Sequence, residues 1–288
     1  MKLPALASLL LASFLLSPMP VRAETVNCIN ITSLPATLTT QGVYCLKQNL
    51  ATAISEGQAI DIQNSNVTLD CNGYKIGGLG AGVNTNARGI YSSGNANITV
   101  RNCNVRGFVV GIALFGLGFG SSGHLVENNR LDGNTMVGMD IQGDGSIIRG
   151  NLITANGGGS RYSEPGYSSR GIQSLGDSDV LDNTVWGMIP LSGGVRTLAI
   201  NAGSNDGGSI EGNRVRALAG SDIQAVRCTA GCNRVRIVDN SLAGSSVATS
   251  VGVGCEVSSD ASSIGNRFSG FTTTIDTCHS GGGNLSIP

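Results

Sequence analysis

The stretch Ile148-Arg149-Gly150-Asn151-Leu152-Ile153 carries the pattern that decides the fold: an apolar residue, two residues, Asn, one residue and a second apolar residue. This pattern recurs along most of the chain, with successive slots 22 to 32 residues apart. Spacing of this kind is typical of stacked repeats. The slots are held by Asn72, Cys103, Asn129, Asn151, Asn183, Asn213, Asn240 and Asn266.

A second mark, Gly followed by an apolar residue, lies upstream of most slots. Each period therefore holds at least two short strand-like segments, separated by turn-forming Gly, Asn, Asp or Ser. One period has too few apolar residues for its own core, whereas stacking like residues ~4.8 Å apart buries a continuous apolar column. The pairs are Gly89-Ile90, Gly111-Ile112, Gly138-Met139, Gly171-Ile172 and Gly252-Val253.

Asparagine suits an inward turn because its side-chain amide can hydrogen-bond to the copies above and below. A leucine-rich solenoid would show a denser Leu pattern, and a β-propeller a longer four-strand period. The repeat therefore predicts an all-β chain folded as a parallel β-helix, a solenoid of about eight coils.

The chain resembles the right-handed parallel β-helix repeat proteins, whose architecture is shared with pectate lyases and related polysaccharide enzymes. Residues 66–73 (Asn-Val-Thr-Leu-Asp-Cys-Asn-Gly), residues 97–103 and the later Asn motifs carry the resemblance, which spans residues 64–280. It implies a right-handed coil. Similar repeats occur in lyases, hydrolases, epimerases and adhesins, so the resemblance leaves the activity open.

The N-terminus is typical of a secretory signal. Lys2 precedes an apolar stretch from Leu3 to Leu16, and Val21-Arg22-Ala23 offers a cleavage site, so we expect a mature chain from Glu24. No other stretch approaches the ~20 apolar residues of a membrane helix. The sequence thus predicts a secreted or periplasmic protein without a membrane span.

Eight cysteines in an exported chain favour disulfides over metal ligation, particularly with only two histidines present. Residues 24–63 lack the Asn motif and are expected to cap the first coil, ahead of the β-helix over 64–280 and a tail over 281–288. The predicted pairs are Cys28–Cys45, Cys71–Cys103, Cys228–Cys232 and Cys255–Cys278.

The formal net charge is −1, and loss of Lys2 and Arg22 with the signal leaves 16 basic against 19 acidic residues. A nucleic-acid binder would need a basic face, so nucleic acid is not an expected partner. We expect a monomer whose partner is a polysaccharide or a cell-surface glycan.

Two sets of residues are candidates for substrate binding. The insertion Gly157–Arg170 concentrates tyrosines, which can stack on sugar rings, with charged groups that can bond hydroxyls or carboxylates. A polar row is expected on the outward side of successive coils. Each set could equally be a solvated surface. The loop set is Arg161, Tyr162, Glu164, Tyr167 and Arg170; the row is Asp140, Gln173, Asn201 and Gln224.

Polysaccharide chemistry restricts the catalytic candidates. Hydrolysis needs two carboxylates, for which Asp177/Asp179 and Asp140/Asp144 are possible pairs. The resemblance to pectate lyases implies an arginine base with Ca²⁺ held by carboxylates, which Arg149 or Arg170 could imitate beside Asp140, Asp144 or Asp177. The scarcity of Lys argues against a groove for a polyanion.

His124, the only His within the repeat, is expected at the surface or in a turn rather than as a catalytic base. Two functions remain open. The first is a secreted protein that binds or acts on a polysaccharide as a lyase or hydrolase. The second is a non-catalytic extracellular protein with a structural or adhesive role.

Overall fold

A computed structural model describes residues 25–116, 122–160, 167–194, 196–245, 247 and 249–287. The predicted signal peptide over residues 1–23 lies outside this part of the chain. The described residues form parallel strands in three sheets, and their one helix is a short 3-10 turn at Leu79–Ala81. The all-β prediction is confirmed. None of the described helical structure has the length and apolar character needed to cross a membrane.

The strands, numbered in chain order, are β1 (Ile29–Ile31), β2 (Ala36–Leu38), β3 (Gly42–Leu46), β4 (Leu50–Ala51), β5 (Gln58–Ile62), β6 (Val67–Asp70), β7 (Lys75–Gly77), β8 (Arg88–Ser93), β9 (Ile98–Arg101), β10 (Asn104–Arg106), β11 (Val110–Phe115), β12 (Leu125–Glu127), β13 (Arg130–Asp132), β14 (Val137–Gln142), β15 (Ser146–Arg149), β16 (Leu152–Thr154), β17 (Ser169–Leu175), β18 (Ser178–Leu181), β19 (Thr184–Trp186), β20 (Arg196–Gly203), β21 (Ser209–Glu211), β22 (Arg214–Arg216), β23 (Asp222–Cys228), β24 (Asn233–Val238), β25 (Ser241–Ala243), β26 (Thr249–Cys255), β27 (Asp260–Ile264), β28 (Arg267–Ser269), β29 (Thr273–Asp276), β30 (His279–Ser280) and β31 (Leu285–Ile287).

The chain visits the three sheets in rotation, so each coil adds one strand to each sheet. Sheet A runs β1-β3-β6-β9-β12-β15-β18-β21-β24-β27-β30, sheet B runs β2-β5-β8-β11-β14-β17-β20-β23-β26-β29, and sheet C runs β4-β7-β10-β13-β16-β19-β22-β25-β28-β31. Residues 29–62 already contribute strands to all three sheets. That residues 24–63 serve as the cap of the solenoid stays a prediction.

The apolar residues of each repeat stack into buried columns that face the interior. Val126 lies in the column of sheet A, Leu131 in that of sheet C and Met139 in that of sheet B, and none is exposed. The apolar positions of the motif are therefore the inward residues of sheets A and C. The turn between them holds the asparagines.

The motif asparagines form a hydrogen-bonded ladder through this turn. Oδ1 of Asn183 accepts the backbone N–H of Asn151 at 3.0 Å and its side-chain amide at 2.9 Å. Nδ2 of Asn183 donates to the carbonyl of Ile148 at 2.9 Å. The residue before each Asn takes a left-handed conformation, as Asp182 does at φ 53°. The predicted ladder is confirmed from Asn129 to Asn266.

Asn72 lies outside the ladder, contrary to the sequence alignment. It has a left-handed φ of 51° and donates to the carbonyl of Leu46 at 3.0 Å. Leu69 pairs with Val100, and Ile76 pairs with Val105. Because Leu69 and Ile76 lie further apart in the sequence than Val100 and Val105 do, the turn that holds Asn72 is wider. At the other end, Asn284 continues the ladder by accepting the N–H of Asn266 at 3.0 Å.

All four predicted disulfides are present: Cys28–Cys45, Cys71–Cys103, Cys228–Cys232 and Cys255–Cys278. Cys71 and Cys103 join neighbouring coils, with a sequence separation of 32 residues. Cys228–Cys232 instead closes a short loop, with a separation of 4. The Cys71–Cys103 disulfide therefore closes a far longer loop of the unfolded chain than the Cys228–Cys232 disulfide does.

The two disulfides are expected to differ in what their removal costs. Loop-closure entropy predicts a loss in the free energy of unfolding of ~3.7 kcal/mol for Cys71→Ala/Cys103→Ala and ~2 kcal/mol for Cys228→Ala/Cys232→Ala. Urea denaturation of both double variants would measure the difference, and the second variant is the matched control. Equal losses, or a larger loss at Cys228–Cys232, would contradict the entropic explanation.

His124 lies in the connection just before β12 but is buried, with 1% of its surface exposed, so the expectation of an exposed position was wrong. It stacks between Ile98 and Ser146 in an inward column, and neither ring nitrogen has a hydrogen-bond partner among the described residues. Burial lowers the pKa of His124 from 6.5 to about 4. The imidazole is therefore a neutral core side chain.

This burial predicts an acid-sensitive core. The unfolded chain binds a proton at His124 below pH 6.5, whereas the folded chain does so only near pH 4. Its contribution to stability is thus complete above pH 6.5 and is lost as the pH falls to 4, by ~2 kcal/mol at pH 4.5. We expect His124→Leu to remove that part of the acid dependence. Parallel urea denaturations at pH 7 and 4.5 test this, and an identical pH dependence in both proteins would refute it.

Candidate functional site

The outward face of sheet B carries the polar row expected from the sequence, with one change. Asp140, Gln173 and Asn201 pair in register on successive strands, and the next position is Arg227. Gln224 instead pairs with Leu198 and Val251, so it lies three residues before Arg227 on the same strand and outside this row.

A column of small residues causes this difference in register. A Cβ at Gly171 would lie 2.5 Å from the carbonyl oxygen of Ala199 and 2.9 Å from the side chain of Val185. Gly171-Ile172 therefore aligns with Ala199-Ile200, and Ala225-Val226 continues the column. A search for Gly alone misses the strand in which Ala takes this place.

Asp140, Gln173 and Arg170 form one hydrogen-bonded group on this face. Oδ1 of Asp140 accepts from Nε2 of Gln142 at 3.1 Å and from Nε2 of Gln173 at 3.2 Å. The Arg170 guanidinium donates to Oε1 of Gln173 and, through Nε, to Oγ of Ser168 at 3.2 Å. Gln173 thus bridges the carboxylate and the guanidinium.

Burial dominates the electrostatics of this group. It raises the pKa of Asp140, against the opposing effects of the Gln142 hydrogen bond and the charges of Arg170 and Arg88. Burial also lowers the pKa of Arg170, opposed by the charge of Asp140 and assisted by that of Arg227. Asp140 is consequently a stronger base than an ordinary aspartate, and the charges of Arg170 and Arg88 act on it.

Aromatic side chains border the group on its N-terminal side. Tyr91 lies in the row of Asp140 two strands earlier, with Ala113 between them. Its ring meets that of Phe115 edge to face, with centroids 5.8 Å apart, and the Cζ atom of Arg88 lies 4.9 Å from its centroid. The sequence interpretation missed Tyr91, although it directly follows the Gly89-Ile90 mark and could have been found by that signal.

On the C-terminal side the row continues through Asn201 and Arg227. Asn201 is 6% exposed, and its Oδ1 has no hydrogen-bond partner in the described structure. Nη2 of Arg227 lies 3.3 Å from Oε1 of Glu256. Arg227 and Glu256 line a cavity of about 130 Å³, together with Gln224 and Asp276.

Arg149 and Asp177 lie away from the Asp140 group. Arg149 is on sheet A and forms an ion pair with Glu127 at 2.8 Å. Asp177 is in the turn between sheets B and A, where its carboxylate accepts the N–H of Asp206. The neighbouring Asp144 accepts the N–H of Asp177 at 2.9 Å. The turn aspartates therefore connect successive coils.

The insertion before sheet B is described only in part. Tyr167 is 43% exposed and lies just ahead of β17. Arg161, Tyr162 and Glu164 lie outside the described residues. Across the ranges that the structure does describe, no group of three or more His, Cys, Asp or Glu side chains could hold a metal ion.

The right handed beta helix region family matches residues 88–273, and the chain belongs to this family. No curated protein matches its sequence. Among solved structures, the fold is similar to the A-module of mannuronan C-5 epimerase AlgE6 from Azotobacter vinelandii. That likeness has 16% identity, covers 91% of this chain and 81% of that chain, and has a TM-score of 0.53.

Weaker likenesses extend to two further proteins. The catalytic unit of a GH87 alpha-1,3-glucanase from Streptomyces thermodiastaticus strain HF3-3 is 12% identical, with 90% of this chain and 61% of that chain covered and a TM-score of 0.41. The Dettilon tailspike protein is 12% identical, with 88% and 58% covered and a TM-score of 0.42. At 16% identity, the likeness to the AlgE6 A-module concerns the fold alone.

Proposed function

We propose that this chain binds an acidic polysaccharide on the outward face of sheet B and removes the proton beside a uronate carboxylate, with Asp140 as the base. The observation that carries the proposal is the group of Asp140, Gln173 and Arg170. It combines a carboxylate of raised pKa with a guanidinium that is connected to it through the side chain of Gln173.

The cations supply what such a reaction needs beyond a base. Removing the proton next to a carboxylate moves negative charge onto that group, and fixed positive groups stabilise the charge as it develops. The positive charges of Arg88 and Arg170 both act on Asp140, so one carboxylate is influenced by two guanidiniums. This local excess offsets the weakly acidic overall composition. The planar guanidinium also matches a uronate carboxylate.

Asp140 takes the proton on C5, and the electrons of the C–H bond pass into the uronate carboxyl group, which becomes an enolate. Collapse of the enolate has two outcomes. In one, it expels the glycosidic oxygen at C4, which leaves with the proton that Asp140 took, and an unsaturated end forms. In the other, C5 takes a proton from water on the opposite face of the ring, and the hydroxide left behind takes the proton from Asp140. The first outcome is a lyase reaction and the second an epimerisation.

Hydrolysis has weaker support from the residues in view. Glycosidases place two carboxyl groups about 5–9.5 Å apart across the bond. In the row of Asp140, the carboxylate on the N-terminal side is Asp61. It lies three strands away, or ~14 Å at ordinary strand spacing.

The remaining support concerns substrate class and location. Tyr91 and Phe115 offer apolar ring surface beside the charged group, as a sugar chain requires. One solved structure of similar fold is named a mannuronan C-5 epimerase, which favours a uronate by analogy of fold alone. Four disulfides and the signal-like N-terminus favour an extracellular or periplasmic site of action.

The test is turnover of a defined panel: polygalacturonate, mannuronan and neutral dextran, each with and without Ca²⁺. We expect unsaturated-product absorbance or an altered uronate epimer ratio with a polyuronate, and no new reducing ends from dextran. Reducing ends without unsaturation would indicate a hydrolase. Binding without turnover on every polyuronate would favour the structural or adhesive alternative.

A further inference from the structure

Sheet C presents a basic face on a side of the solenoid that the Asp140 group does not use. From β7 to β28, each short strand of sheet C buries its middle residue and leaves at least one flanking residue partly or fully exposed, as Val215 and its neighbours Arg214 and Arg216 do. Of the residues in the ten strands, one is acidic, Asp132. The basic residues in those strands are Lys75, Arg106, Arg130, Arg214, Arg216 and Arg267.

These cations differ from those of sheet A in their partners. On and beside sheet A, Arg101, Arg149 and Arg234 are paired with carboxylates at 2.9, 2.8 and 2.6 Å. On the described strands of sheet C, the one ion pair joins Arg130 and Asp132 at 3.9 Å. Within the described part of the chain, most cations of sheet C therefore have no carboxylate at ion-pair distance.

An exposed aromatic ring lies between the two ends of this face. Trp186 is the sole tryptophan of the chain and is 56% exposed at the end of β19. It pairs in register with Thr154 on one side and Arg216 on the other. A large ring exposed on a sheet and flanked by arginine is suited to stack on a sugar ring.

A cavity closes the N-terminal end of the face. It has a volume of about 420 Å³, and its lining includes Lys75, Arg106, Thr52 and Leu79. Nε of Arg106 and Oδ1 of the adjacent Asn104 are buried and have no hydrogen-bond partner in the described structure. Unsatisfied polar atoms are costly when buried, so a ligand that bonds them would be favoured.

We infer that sheet C is a second binding surface, for a linear acidic polysaccharide that lies along the solenoid axis. Lys75 and Arg267 are seven strands apart, a span of ~34 Å at ordinary strand spacing. The cations lie on strands β7, β10, β13, β22 and β28, so positive charge is distributed along most of this length. Charge complementarity and the exposed ring together favour an acidic glycan over a neutral one.

This surface would retain or orient a chain and does not depend on chemistry at Asp140. Double-stranded DNA and anionic lipid share the negative charge, but a net charge of −1 for the whole chain is unusual for a nucleic-acid binder. The flat surface of a lipid bilayer would offer no sugar ring for the side chain of Trp186 to stack on. These two classes are therefore arms of the test rather than proposed partners.

Fluorescence titration reports this surface directly, because Trp186 is the only tryptophan. We expect polygalacturonate to change the emission at low ionic strength and to lose affinity as salt is added. Neutral dextran, double-stranded DNA and phosphatidylserine vesicles are the comparison probes. Asp140→Asn should leave the titration unchanged, which separates this surface from the proposed catalytic site.

Matched charge variants decide the assignment. Arg130→Gln/Arg214→Gln/Arg216→Gln removes three cations from sheet C, whereas Arg149→Gln/Arg234→Gln/Arg236→Gln removes three exposed cations from sheet A. We expect the first to weaken polygalacturonate binding about tenfold or more and the second to change it less than about threefold. Trp186→Ala, followed by sedimentation with the polymer, should also weaken binding.

The inference would be overturned by equal losses in both triple variants, by tighter binding of DNA or vesicles than of polygalacturonate, or by no response to any acidic glycan. Far-ultraviolet circular dichroism and urea midpoints of the triple variants confirm that exposed substitutions leave the fold intact. Lost binding with retained turnover in the triple variant of sheet C would support this inference and leave the catalytic proposal intact. Turnover lost in Asp140→Asn with binding retained would likewise support both.

Discussion

Replacing Asn183 with alanine is expected to lower the free energy of unfolding by ~4 kcal/mol. The side chain satisfies two buried backbone groups of the preceding coil, the N–H of Asn151 at 3.0 Å and the carbonyl of Ile148 at 2.9 Å. Alanine leaves both without a partner in the interior. Each such group costs about 1–3 kcal/mol when it is buried and unbonded.

The comparison variant is Asn30→Ala, on an exposed position of β1. Substitutions of this kind usually change stability by less than ~0.5 kcal/mol. Urea denaturation followed by circular dichroism would measure both proteins. A loss at Asn183 no greater than that at Asn30 would mean that the ladder contributes nothing beyond the apolar columns.

Replacing Asp140 with asparagine is expected to reduce turnover of the polyuronate about a thousandfold, within the range for loss of a general base. Asparagine has nearly the same shape and can still accept from Gln142 and Gln173, so the fold should be unaffected. Glu211→Gln, at an exposed site on sheet A, removes one negative charge elsewhere and should keep full activity. A thousandfold loss in both variants, or in neither, would contradict the role of Asp140.

The pH profile follows from the same group. Asp140 acts as a base only when ionised, so kcat/KM should fall as the pH drops through its pKa. Because burial raises that pKa above 3.8, the acidic limb should lie above the range of an ordinary aspartate. Arg170→Gln would remove an opposing positive charge and should move the limb to still higher pH. Arg170→Lys, which keeps the charge, should move it less.

The sequence predicted the parts of the fold that depend on regular repetition. The spacing of Val126, Asn129 and Leu131 fixes one inward residue in sheet A, one buried turn and one inward residue in sheet C, and every later coil repeats it. The disulfides Cys71–Cys103 and Cys255–Cys278 followed because stacking places residues of neighbouring coils side by side. Local pattern and tertiary packing agree in these columns.

Predictions failed where one coil departs from the repeat. Asn72 lies in a turn widened by additional residues, and Gln224 lies three residues before Arg227, which takes the expected place beside Asn201. The buried state of His124 depends on its column neighbours Ile98 and Ser146, which a single period does not reveal.

The candidate site was predicted only in part, because its residues come from different coils. Asp140, Gln173 and Arg170 were each identified, but their hydrogen-bonded arrangement requires the register of β14 with β17. Asp177 and Arg149 resembled them in residue type, yet lie in a turn and on another sheet. Residue type alone does not separate a carboxylate that connects coils from one on an open face.

Exchange of the C5 hydrogen of mannuronan or polygalacturonate in deuterated water tests the role of Asp140 most directly. Both elimination and epimerisation begin with the same proton transfer, so mass spectrometry of the recovered polymer detects either one. With the unmodified protein, deuterium should enter the polymer or unsaturated ends should form, and with Asp140→Asn neither should occur. No proton transfer from any polyuronate, or transfer that survives Asp140→Asn, would contradict the proposed chemistry.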